Sequence, residues 1–234
     1  MILPKQTAPV YSLKIPSTGK KLKYRPFLVK EEKALLLAEQ SEDLTFMVDT
    51  LKQVVANCTM NSIDVNSLAI FDLEYILTKL RAKSVGEIAD ITVPCAHCKT
   101  KFPMKVDVST LEVTKNPEHN KKIPLFDKVG VVMKYPKIDI LNELSKIEDR
   151  NPEATFDAAV ECIEYIYDEE KIFHAKDLQR EQLVAFVDDL NAEQFGRIEK
   201  FFETMPRLEV KIEFKCPSCQ KDNVRILEGI QNFF

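Results

Sequence analysis

With 234 residues, 45% of them hydrophobic, the chain is long enough to bury a core as one large domain or two small ones. A formal net charge of −4 argues against a general nucleic-acid binder, and five glycines leave little room for phosphate-cradling loops. No run of about 18 apolar residues occurs, and Met1-Ile2-Leu3-Pro4-Lys5-Gln6 lacks the charged-then-apolar layout of a signal peptide, so a cytoplasmic protein without a membrane span is expected.

Residues 10–15 and 21–27 read as two strands about a turn containing Gly19. In the second strand Lys21, Lys23 and Arg25 alternate onto one face and Leu22 and Tyr24 onto the other. The basic face has two readings, protection of a strand edge by positive charge and docking of an acidic partner. A helix from Lys30 to Gln40 follows, with acidic residues near its start. Ser41 is expected to cap a second helix, in which Leu44, Met47, Val48, Leu51, Val54, Val55 and Cys58 form one buried stripe. A third helix, about Asn66 to Lys83, leads into Ile91-Thr92-Val93.

That strand delivers Cys95-Ala96-His97-Cys98, and the chain returns through residues 102–108. Residues 116–124 are polar, proline-flanked and unpatterned, and read as a loop. A strand over residues 128–135 precedes helices at about 138–148 and 152–167, the latter with Asn151 as its cap. Two more helices span about 177–190 and 192–203, the second opened by an Asn191-x-x-Gln194 capping box and stopped at Pro206. Residues 208–214 alternate apolar and charged residues with the period of a half-buried strand, and they deliver Cys216-Pro217-Ser218-Cys219. The chain returns over residues 223–227.

Each Cys-x-x-Cys sits at the tip of a hairpin, and together they offer the four thiolates that a tetrahedral structural zinc takes. The separation of the pairs far exceeds the usual ribbon spacing of about 15–20 residues, so the metal would clip together two distant parts of the chain. The predicted ligands are Cys95, Cys98, Cys216 and Cys219, with His97 an alternative. Such a set leaves no open position for a substrate, so catalysis at the metal is not expected. Cys58 and Cys162 fall in helical patterns and read as core residues. His119 and His174 read as surface residues. No nucleophile elbow, Walker loop, His-Glu-x-x-His or dinucleotide fingerprint is present, and no small-molecule substrate or enzyme activity is expected. The alternative is a zinc-ribbon module for nucleic acid or transcription, for which Lys99, Lys101 and Lys105 flank one pair and Lys215, Lys221 and Arg225 the other.

The expected fold class is α+β: a mostly helical body with short antiparallel hairpins and a split four-cysteine zinc ribbon. Its segments are an N-terminal β-hairpin (1–29), a helical segment (30–90), a first knuckle hairpin (91–115), a strand and helical insertion (116–206) and a second knuckle hairpin (207–234). They are expected to form one integrated domain.

Several stretches resemble the baseplate-hub assembly family of T4-like contractile-tailed phages. They are Tyr24-Arg25-Pro26-Phe27-Leu28-Val29-Lys30-Glu31-Glu32-Lys33 with Leu35-Leu36-Leu37-Ala38, then Arg81-Ala82-Lys83-Ser84-Val85-Gly86-Glu87 before the first cysteine pair, and Phe201-Phe202-Glu203-Thr204-Met205-Pro206 before the second. The resemblance implies a non-enzymatic viral protein that acts in building the baseplate hub in the host cytoplasm, either leaving after assembly or remaining in the virion tail. Other hub and wedge proteins are its implied partners. The zinc rests on the cysteine spacing, not on the resemblance.

Overall fold

The computed structural model describes residues 7–41, 43–140 and 152–229. Two compact units result: residues 1–114 with 207–234, and residues 115–206.

The first unit opens with the hairpin β1 (Tyr11–Lys14) and β2 (Lys21–Tyr24). Leu13, Leu22 and Tyr24 are buried, while Lys14, Lys21 and Lys23 are exposed, as the alternation requires. Gly19 adopts φ +69° in the turn. The turn is tied down by Asp72, which is buried and accepts from the Ser17 amide at 2.9 Å and the Ser17 hydroxyl at 2.5 Å. Arg25 does not join the basic face. It is half-buried and pairs at 3.0 Å with Glu31, whose side chain is only 2% exposed.

Helices α1 (Val29–Gln40), α2 (Leu44–Cys58) and α3 (Ile70–Ser84) follow. Asp43, not Ser41, caps α2, accepting from the amides of Thr45 and Phe46. Ser41 closes α1 instead, its hydroxyl donating to the Ala38 carbonyl at 2.7 Å. Val54, Val55 and Cys58 carry the buried stripe of α2. On α3, Phe71, Leu73, Tyr75, Ile76, Leu77, Leu80 and Ala82 are buried around most of its circumference, which makes it the central helix of this unit. It packs against α2, β5 (Glu112–Thr114) and β10 (Arg207–Lys215).

Two antiparallel ribbons complete this unit. β3 (Ile88–Pro94) pairs with β4 (Lys101–Asp107), and β10 pairs with β11 (Asp222–Glu228) on one side and β5 on the other.

The second unit is a four-stranded antiparallel sheet in the order β6 (Lys122–Phe126), β7 (Val129–Met133), β8 (Ile163–Tyr167), β9 (Ile172–His174). Helices α4 (Pro152–Glu161), α5 (Arg180–Asp188) and α6 (Ala192–Thr204) accompany it, and its core includes Val131, Met133, Ala158, Ile163, Ile198 and Phe201. Asn191 forms the expected capping box with Gln194, with bonds of 2.8 and 2.9 Å.

Among the described residues six α-helices stand beside eleven strands, so the expected mostly helical body is corrected to a mixed one. The helix expected over 152–167 stops at Glu161, because Ile163 and Ile166 are needed in the sheet and tertiary burial overrides helical propensity. The loop expected to Pro124 ends in strand β6. Pro124, which lacks an amide donor, is tolerated there because β6 is an edge strand. Of the helix expected at 138–148, Ile138–Ile140 form a 3₁₀ turn and the rest lies outside the described residues, as does the expected cap Asn151.

Candidate metal centre

The hairpin turns of β3–β4 and β10–β11 are near copies. In the first, the Cys95 amide donates to the Thr100 carbonyl at 3.0 Å and the Lys99 amide to the Cys95 carbonyl at 3.1 Å. In the second, Cys216 donates to Lys221 and Gln220 to Cys216, both at 3.0 Å. Lys99 and Gln220 occupy the matching left-handed positions, with φ +61° and +58°. Within the turns a backbone amide approaches each leading sulfur: His97 N lies 3.4 Å from Cys95 Sγ, and Cys219 N lies 3.5 Å from Cys216 Sγ.

The ribbons bring the two turns together. Phe102 of β4 meets Phe214 of β10 edge to face at 5.0 Å. Cys95, Cys98, Cys216 and Cys219 then place their sulfurs within 4.8 Å of one another. The Cys95–Cys219 and Cys98–Cys216 sulfur separations are 3.7 and 3.6 Å. A tetrahedral zinc with bonds of about 2.3 Å has sulfur–sulfur edges of about 3.8 Å, so these two edges are compatible with that ion. Cys95 and Cys216 are buried, Cys219 is half-buried and Cys98 is exposed, which leaves one side of the cage open to solvent.

The electrostatics fit a cation. The Cys98 amide, working against burial and helped by the His97 amide and the neighbouring sulfurs, draws the Cys95 thiol down to about 6. Thr100, through its hydroxyl and amide, lowers Cys98. The Lys221 amide also favours the Cys219 thiolate, but burial and the sulfurs of Cys216, Cys95 and Cys98 prevail and push this thiol up to about 11. The cage therefore favours its first ionisations and resists the last, and a bound dication would relieve that resistance.

His97 is not drawn into the sulfur cage; its Nε2 lies 3.4 Å from the Asp222 carbonyl. The residue missed by sequence reasoning is Asn223, 4% exposed, which accepts from the Ala96 amide at 2.9 Å. Arg225, counted among the basic residues around the knuckles, instead donates to the Pro94 carbonyl at 3.1 Å.

The remaining cysteines and histidines lie elsewhere. Cys58 and Cys162 are buried, and burial pushes their thiols up to about 11 and about 12. His174 is exposed, as expected. His119 is not a simple surface residue: it stacks on Tyr135 at 5.6 Å, lies 5.1 Å from the Phe201 ring, and its Nδ1 is 3.1 Å from the Thr204 hydroxyl. Desolvation, reinforced by Lys121, lowers its pKa.

Fold and site define a mixed α+β protein in which two cysteine hairpins, distant in sequence, converge on one thiol cage. Over residues 8–234 the sequence matches the family described as T4 bacteriophage base plate protein. It is also 24% identical over 224 residues to the Baseplate hub assembly protein gp26 of Enterobacteria phage T4, covering 96% of this chain and 97% of that protein. No solved structure matches. The chain belongs to the T4 bacteriophage base plate protein family.

Proposed function

We propose that the chain is a non-enzymatic component or assembly factor of the phage baseplate hub, a zinc-stapled scaffold that docks onto other baseplate proteins. The family match across residues 8–234 carries this reading. Zinc held by Cys95, Cys98, Cys216 and Cys219 would fix the β3–β4 ribbon against the β10–β11 ribbon. Structural zinc contributes on the order of 10–16 kcal/mol to folding in small modules, enough to determine how these ribbons are joined. With four thiolate ligands the ion's role is mechanical. The lysine face of the N-terminal hairpin and the exposed helix surfaces would make the contacts to hub and wedge proteins, in the host cytoplasm and then in the tail baseplate.

The test is infection with a phage in which Cys216 of this chain is replaced by serine. Sedimentation of the lysate should show a loss of assembled baseplates together with a loss of soluble, folded chain. Normal baseplate yield from a variant proven to be metal-free would contradict the staple. Normal yield from a phage making none of this chain would contradict the baseplate role itself.

A further inference from the structure

We infer that Asn223 is a positioning residue that seats the first knuckle on the second ribbon before metal enters, an inference that rests on the zinc reading above. The two knuckles share their turn hydrogen bonds, but their surroundings differ. Seven positions after the leading cysteine the first hairpin has Phe102, which packs against Phe214, whereas the second has Asn223. The Asn223 side chain is buried, and both ends of its carboxamide are engaged. Oδ1 accepts from the Ala96 amide at 2.9 Å and lies 3.4 Å from Cys95 Sγ; Nδ2 donates to the Lys221 carbonyl at 2.8 Å.

The Lys221 carbonyl is the same group that accepts from the Cys216 amide at 3.0 Å to close the second knuckle. One carboxamide thus connects the closing bond of one knuckle to an amide lying between the two cysteines of the other. Only an acceptor satisfies the Ala96 amide and only a donor satisfies the Lys221 carbonyl, so the orientation of the group is fixed by backbone on both sides. Cys95 is thereby held facing Cys219 by contacts that do not require the ion. Partners of this kind around a metal site typically affect affinity by about 10–100-fold when removed.

The experiment measures zinc affinity by competition with a chromophoric chelator, alongside hydrogen exchange at the Ala96 amide in the metal-free protein. Asn223→Leu keeps the side-chain size and removes the acceptor; Asn223→Asp keeps an acceptor for the Ala96 amide. The full-length protein without metal should protect the Ala96 amide. Asn223→Leu should lose that protection and bind zinc about 10–100-fold more weakly, and Asn223→Asp should restore the protection. A residue that only stabilises the fold would lower Tm equally with and without zinc, whereas a positioning residue shrinks the rise in Tm that zinc produces. Unchanged affinity and a still-protected Ala96 amide in Asn223→Leu would overturn the inference. Absence of zinc binding by the unsubstituted protein would instead overturn the zinc reading, and the exchange measurement would still decide whether Asn223 seats the knuckle.

Discussion

Lys14 and Lys21 face each other directly across the β1–β2 hairpin, with Ser12 opposite Lys23 in the same register. Like charges in this relationship destabilise a hairpin, and among the described residues neither lysine has an ion-pair partner. Replacing Lys21 by glutamate should make the hairpin more stable, by about 0.2–1 kcal/mol, because the cross-strand pair becomes attractive. The same change should lower incorporation of the chain into baseplates if this face receives an acidic neighbour. Thermal unfolding and quantification of the chain in purified baseplates check the two effects. A variant that incorporates normally would leave the lysines as edge protection alone.

Glu31 receives the Arg25 guanidinium at 3.0 Å and the Leu28 amide at 2.8 Å. Burial opposes its ionisation, but the Arg25 and Leu28 hydrogen bonds and the charges of Arg25 and Lys30 prevail and hold its carboxyl below the ordinary value of 4.5. A lowered carboxyl pKa contributes stability that is present above the unfolded pKa and is lost as pH falls through the folded one. Glu31→Gln should therefore be less stable at neutral pH, by about 1–3 kcal/mol. It should also lose less stability than the unsubstituted protein on acidification below about pH 4.5. Parallel urea titrations at pH 7 and pH 4 measure both, and identical pH dependence in the two proteins would refute the assignment.

In the second unit, Gly130 on β7 is required by close approach. A Cβ there would come within 2.3 Å of the Tyr167 hydroxyl oxygen and 2.4 Å of the Ile123 carbonyl oxygen. One of these is backbone of the neighbouring strand and cannot swing away. Gly130→Ala should cost about 1–3 kcal/mol through overpacking, read as a lower denaturant midpoint. Measured in a Tyr167→Ala background, the same change should cost less but still destabilise, since the Ile123 contact remains. No cost in that background would assign the whole effect to the tyrosine.

The knuckles were legible in the sequence because their chemistry is local: two cysteines at fixed spacing, each pair on a hairpin tip. Asn223 was not legible, because its partner Ala96 belongs to a distant hairpin and nothing in the Asn223 neighbourhood marks a cross-ribbon bond. Helix α6 was readable from its capping box, whereas β8 was not. Glu161, Glu164 and Asp168 continue the polar spacing of α4 across the boundary, and only burial of Ile163 and Ile166 in the sheet reveals the change of period. His119 was misplaced for the same reason: its polar sequence neighbours conceal a ring packed against both Tyr135 and Phe201, which also meet each other at 5.9 Å.

The most direct test of the zinc staple is the metal content of the purified native chain, with thiol reactivity at pH 8 read before and after chelation. The expected result is about one zinc per chain, with four thiols released together on chelation. Cys58 and Cys162, buried and with thiols raised to about 11 and about 12, should stay unreactive until the protein is unfolded. A chain free of metal, or four thiols that react at the same rate whether or not chelator is present, would contradict the staple.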